Sequence, residues 1–257
     1  MVSRLTRNLK LTIAYDGAPF SGWQVQPERA TIQGELAVAI KTITGEEILP
    51  QGSGRTDAGV HALAQVATWQ TESKIPGENM VKALNGNLPP TIRVLAVEEV
   101  PLDFHPRRSA AAKTYRYRIL RSAICSPFLV GRVWHYPYPL NEREMMDSAP
   151  IVTGRHDFTS FAAVDPDRTA REGGSIDNIR EIYTSSWTRG DDELVYEVRG
   201  TGFLHHMVRN LVGTFLLVGK GTLHAGELDK IIAAKSRSAN TGTTAPPGGL
   251  YLVNVEY

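Results

Sequence analysis

A single carboxylate stands between glycines in the segment Gly54-Arg55-Thr56-Asp57-Ala58-Gly59-Val60-His61-Ala62. A carboxylate in such a place can act as a nucleophile or as a base, and can leave again afterwards. Residue types alone favour a plainer reading, because an aspartate in an Asp-Ala-Gly turn more often caps local amides than reacts. The familiar cofactor signatures fail position by position. In Gly52-Ser53-Gly54-Arg55-Thr56-Asp57 an acid replaces the third glycine of a dinucleotide loop, which excludes a standard Rossmann site. Gly219-Lys220-Gly221-Thr222 resembles the tail of a phosphate loop, but Thr214 stands where the first Gly belongs and Gly221 where the Ser or Thr belongs. The seven histidines and the single Cys125 show no zinc spacing, and on a helix the adjacent His205 and His206 point to different sides. No metal site is legible.

Local patterns predict the elements that must position these residues. Leu9, Leu11, Ile13 and Tyr15 alternate with polar or small residues and end at Asp16-Gly17, a strand running into a turn. Thr31 precedes Ile32, Leu36, Ile40 and Ile43 at helical spacing, and Gly45 closes the segment as a C-cap would. Ala64 to Trp69 reads as a strand, Glu78 to Leu84 as a short helix ended by Asn-Gly and Pro89-Pro90, and Arg93 to Val100 as a strand again. Thr114 to Leu120 opens a looser repeat of this alternation. Asn141 with Glu144 forms a capping box for a helix around Met145. Ile179 to Tyr183 and Leu194 to Val198 read as strands, and Leu204, Val208, Leu211, Val212 and Phe215 mark a helix that stops at Gly219. Leu228, Ile231 and Ile232 give the last helix, and Leu250 to Tyr257 a closing strand. The expected fold class is α+β, in two halves of about two helices each, 1–110 and 111–257.

The 257 residues, 42% of them hydrophobic, can bury two medium cores. A lone cysteine forms no internal disulfide and favours a reducing cytosol. No run approaches the roughly 18 apolar residues of a membrane span, and the start of the chain has no apolar segment of the secretory kind. The net charge of +1 argues against a nucleic-acid protein. Its distribution argues the other way. No acid occurs between Asp103 and Glu142, where Arg107, Arg108, Lys113, Arg116, Arg118, Arg121 and Arg132 all fall. A second acid-free window, Arg199 to Gly226, carries His205, His206, Arg209 and Lys220. The two windows predict a footprint for a polyanion, with Arg107 and Arg108 as contacts.

The string from Gly54 to Ala62 gains meaning beside five others: Gly22-Trp23-Gln24-Val25-Gln26, Tyr115-Arg116-Tyr117, Asp157-Phe158-Thr159-Ser160-Phe161, Phe203-Leu204-His205-His206-Met207-Val208-Arg209-Asn210 and Gly249-Leu250-Tyr251-Leu252. In this order, across nearly the whole chain, they resemble the bacterial tRNA pseudouridine synthase A family. The resemblance implies isomerisation of uridine to pseudouridine at positions 38, 39 and 40 of the tRNA anticodon arm, read largely by shape and backbone. It implies two α+β halves, RRM-like or ferredoxin-like, which share an extended, mainly antiparallel sheet with the active cleft between them. A homodimer is expected, with no cofactor, because the isomerisation is redox-neutral.

The same resemblance makes Asp57 the catalytic aspartate, acting as nucleophile at C1′ or C6 or as base at C2′; the sequence leaves these alternatives open. Any of them needs Asp57 ionised, which a cation favours, and the family places Arg209 there. Arg55 assists the flipping of the target base, Tyr115 packs against the flipped ring and Leu250 walls the pocket. Each has a plainer role open to it: surface charge for the arginines, core packing for Tyr115 and Leu250. Tyr115, Tyr117 and Ile119 share one face of their strand, as a core also requires. The Trp23-Gln24-Gln26 string receives no role. The rival reading is a tRNA chaperone that binds without chemistry, whose mark would be a lost carboxylate.

Overall fold

A computed structural model describes residues 6–164 and 177–257. The basic start of the chain, with Arg4, lies outside the described residues. The chain is α+β and divides into two compact units, 1–111 with 251–257, and 112–250. Among the described residues no helix is long and apolar enough to cross a membrane.

The first unit holds β1 (Arg7–Tyr15), α1 (Ile32–Thr44), β2 (Gln51–Gly52), β3 (His61–Thr71), α2 (Gly77–Asn87) and β4 (Ile92–Val100). β1 lies between β4 and β3, antiparallel to both. The alternation seen in the sequence is the inside-outside pattern of β1: Leu9, Leu11 and Ile13 are fully buried while Lys10 and Thr12 are half-exposed. Leu36 and Ile40 of α1 and Met80 and Leu84 of α2 are buried in the same unit. The caps of α1 form where the residue types place them. Thr31 accepts from the Gly34 amide at 3.3 Å, and Gly45 takes φ +76° with its N–H bonded to the Lys41 carbonyl. The closing strand, β10 (Leu250–Glu256), follows the second half in sequence order, yet it pairs with β3 in parallel, Tyr251 opposite His61 and Leu252 opposite Ala62. That ladder is why residues 251–257 count with the first unit.

The second unit holds β5 (Ala112–Leu120), β6 (Trp134–His135), α3 (Glu142–Ser148), β7 (Gly154–Asp157), β8 (Ile179–Arg189), β9 (Glu193–Gly200), α4 (Met207–Gly219) and α5 (Glu227–Ala234). Its strands run in the order β5, β9, β8, β7, all antiparallel, with the two-residue β6 parallel to β5. β2, β6 and β7 are too short for the period of a strand to show in the sequence, which predicts none of the three.

Three local expectations are corrected. The helix expected from Leu204 begins at Met207, because His206 sits in the left-handed region at φ +59° and Leu204 to His206 form a turn before it. The two histidines therefore do not diverge around a helix: their ring centroids lie 4.0 Å apart. At α3, Asn141 does accept from the Glu144 amide, but its own backbone N–H goes to the Gly219 carbonyl. Glu144 therefore accepts the Asn141 side-chain amide instead of closing the expected box.

The mid-chain charge window is also less free than it reads. Arg116 pairs with Glu197 at 3.0 Å and Arg118 with Glu193, both across the β5–β9 ladder, and Arg121 reaches Glu142 at 2.8 Å. These acids lie outside the window in sequence and against it in space. Arg107 and Arg108 instead occupy an exposed turn at the end of the first unit.

Candidate active site

Asp57 sits in a loop that links β2 to β3 and is half-buried, with exposed Arg55 and buried Thr56 before it. The turn after it closes by a bond from the Val60 N–H to the Asp57 carbonyl at 3.1 Å, and Gly59 at φ +77° supplies the reversal. Gly17 packs so closely on this turn that a Cβ there would lie 2.0 Å from the Val60 carbonyl oxygen. His61, which opens β3, is buried; its Nδ1 accepts from the Gly17 N–H and its ring stacks on Tyr251 at 4.6 Å.

The Gly22-Trp23 string, which sequence reading left without a role, forms one wall of the loop. Trp23 donates its backbone N–H to the Thr56 carbonyl at 3.0 Å. A Cβ on Gly52 would meet the Trp23 indole at 2.7 Å, so the buried ring lies directly over β2. The carbonyls of Gly22 and Trp23 accept from Ile32 and Gln33, which ties this wall to the start of α1. The signal was present in the sequence as a Gly-Trp pair, but nothing local says what backbone it faces.

In the second unit, Tyr115, Tyr117 and Ile119 all point into the buried face of β5. Tyr115 meets Phe203 edge-on, with centroids 5.0 Å apart and planes at 79°. The Tyr117 hydroxyl donates to the Pro246 carbonyl at 2.7 Å; burial pushes its phenol well above the ordinary range, and the nearby Arg209 charge offsets only part of that. Arg209, in the first turns of α4, donates through Nε to the Ala245 carbonyl at 2.8 Å while the Ala245 N–H bonds back to the Arg209 carbonyl at 3.1 Å. Arg209 and Tyr117 thus hold adjacent links of one segment. At its end, a Cβ on Gly249 would lie 2.6 Å from the Tyr117 ring, which accounts for a glycine before the buried Leu250.

Asn210, fully buried beside Arg209, helps to hold this arrangement through both ends of its amide. Its Nδ2 donates to the Phe161 carbonyl at 2.7 Å and its Oδ1 accepts from the Thr244 hydroxyl at 2.7 Å. The Asp157 to Phe161 string is scaffold as well. Asp157 accepts from the Thr159 amide and hydroxyl, Ser160 donates to the Ile231 carbonyl, and Phe158 and Phe161 are buried.

The structure therefore places Asp57, Arg55, Arg107 and Arg108 in the first unit and Tyr115, Arg209 and Leu250 in the second. Chemically, the first offers a carboxylate on a braced loop beside an exposed guanidinium; the second offers an aromatic and apolar wall with a cation.

Known proteins resemble the chain over its length. A family model described as tRNA pseudouridine synthase matches residues 11–107 and 149–257, so that Tyr115 lies outside the matched segments. A tRNA pseudouridine synthase A from Solibacter usitatus is 50% identical over 251 residues, 98% of this chain and 100% of the relative. Those of Thermoanaerobacter sp. and Bacillus pumilus are 41% and 43% identical, over 98% and 97% of this chain and 100% and 98% of their own. With relatives this similar matched from end to end, the chain belongs to the tRNA pseudouridine synthase family.

Proposed function

We propose that the protein isomerises uridine to pseudouridine at positions 38, 39 and 40 of the tRNA anticodon arm, with Asp57 as the essential carboxylate. The observation that carries this reading is the end-to-end similarity to tRNA pseudouridine synthases A in a chain that keeps an aspartate on the braced loop. In the reaction the N1–C1′ bond breaks, a C5–C1′ bond forms, and the hydrogen on C5 is exchanged for one on N1. Nothing is oxidised or reduced, so no cofactor is required. Asp57 attacks the sugar or the base or takes a sugar proton, and Arg209 is the cation that keeps it ionised.

The target base leaves its stack at a cost of about a few kcal/mol, and the exposed Arg55 fills the space it vacates. Tyr115 packs against the flipped ring, Leu250 excludes water beside it, and Arg107 and Arg108 contact phosphates. The enzyme works in the cytoplasm as a homodimer, checked by light scattering on the purified chain.

The deciding experiment is tritium release from tRNA labelled at uridine C5, comparing the protein with its Asp57→Asn variant, which keeps shape and removes charge. Release by the parent and none by a folded, tRNA-binding variant supports the reading. An active variant removes Asp57 from the mechanism, and a parent that binds tRNA without release favours the chaperone. Mapping the product on tRNAs with a uridine at only one of the three positions tests the site preference.

A further inference from the structure

Between Gly54 and Asp57 the loop has only two residues, Arg55 and Thr56, and both of its shoulders are tied to buried polar side chains. Gln65, on β3, is fully buried. Its side-chain oxygen accepts from the Ser53 hydroxyl at 2.7 Å and from the Val66 N–H at 3.1 Å. A flipped amide would turn its own NH2 group on the Val66 N–H, which can only donate, and its oxygen on the Gly54 carbonyl, which can only accept. The amide nitrogen is thereby aimed at the Gly54 carbonyl, 2.9 Å away, and lies 3.5 Å from the Tyr15 hydroxyl. Tyr15, buried at the end of β1, completes the frame with a hydrogen bond to the Thr56 hydroxyl at 2.8 Å. Burial pushes its phenol up to about 12, so it keeps its proton throughout the working range of an enzyme.

We propose that Tyr15 and Gln65 are positioning residues for the isomerisation: one clamps Thr56 and the other Gly54, so that Arg55 and Asp57 leave the loop in one fixed direction. The proposal rests on Asp57 being the essential carboxylate. Neither residue need touch the RNA. Their effect is on geometry, and misplacement of a reacting group by about 1 Å can cost about a hundredfold in rate. A buried loop carbonyl or hydroxyl that lost its partner would also turn to find another, taking the loop with it.

The test uses single-turnover tritium release and tRNA binding on the whole protein with Tyr15→Phe, which deletes one oxygen, Thr56→Val, which deletes its partner, and the double variant. The single variants are expected to slow the chemical step by about tenfold or more, with the tRNA Kd within about twofold of the parent and a cooperative melt retained. The double variant should be no slower than the slower single, because both remove the same bond. Ser53→Ala removes one of the two donors that hold the Gln65 amide on Gly54 and should lower the rate in the same manner, which keeps the test intact if Tyr15→Phe does not fold. An unchanged rate in these variants overturns the proposal, as does a rate that falls only with the folded fraction or with Kd. Asp57→Asn is run beside them. If it is inactive while Tyr15→Phe is fully active, the positioning role alone fails; if it is active, the reading of Asp57 fails and the positioning role with it.

Discussion

A Cβ added to Gly22 would lie 2.7 Å from the carbonyl oxygen of Thr56, at a backbone φ of +91° that side chains rarely adopt. The main chain of Gly22 thus packs closely on the residue before Asp57, and the same added Cβ would lie 3.1 Å from the Asp57 carbonyl carbon. Gly22→Ala must push the loop away or twist its own segment, at a cost of about 1–3 kcal/mol. The expected outcome is a melting temperature lowered by several degrees and tritium release reduced by more than about tenfold. Wild-type release by a folded Gly22→Ala protein would show that the loop does not need this wall.

Arg107 and Arg108 are exposed at the turn after Pro106, and among the described residues neither pairs with an acid. If they contact phosphates, Arg107→Ala and Arg108→Ala each raise the tRNA Kd and lower the slope of log affinity against log salt by about one, with kcat little changed. Binding titrations from low to moderate salt measure both quantities. A Kd equal to the parent with slowed turnover would place these residues elsewhere in the reaction.

That turn also carries a pH dependence. The Nδ1 of His105 accepts from the backbone N–H groups of Arg107 and Arg108, at 3.1 and 3.3 Å, which requires a neutral imidazole with its lone pair on that nitrogen. Partial burial, then the Arg108 charge, then the Arg107 charge lower the His105 pKa against the opposing effect of its own backbone. A depressed folded pKa means that this contribution to the turn is present above the unfolded value of 6.5 and is lost as pH falls through the folded value. NMR titration should show His105 protonating below 6.5, and Arg108→Ala should move its midpoint upward. A midpoint above 6.5 would contradict the arrangement.

Much of this fold was legible because the residues concerned obey local rules. β1 shows its alternation, and α1 its threonine cap and glycine stop, because both lie against a core on one face only. The start of α4 was misplaced because His206 takes a left-handed turn that a histidine does not announce. The Asp57 loop was found through its motif, but its supports were not. Tyr15, Gln65, Gly22 and Trp23 act on it through contacts made by the fold, and no spacing in the sequence joins Gln65 to Gly54 as a pair. Charge was misread for the same reason. Arg116 and Arg118 lie in an acid-free stretch, and their partners come from β9, far along the chain.

The first of these pairs separates a charge that serves the RNA from one that does not. Arg116 and Glu197 face each other across β5 and β9 at 3.0 Å, with side chains 40% and 45% exposed, so water screens the pair and it contributes little to stability, about 0–1 kcal/mol. Its charge is also offset locally, which leaves a phosphate little to gain there. Arg116→Gln should therefore melt within a few degrees of the parent, bind tRNA within about twofold and keep the parent's salt slope. A drop of about one in that slope would mean that Arg116 leaves Glu197 for the RNA, and that the acid-free stretch acts as a footprint along its length rather than chiefly at Arg107 and Arg108.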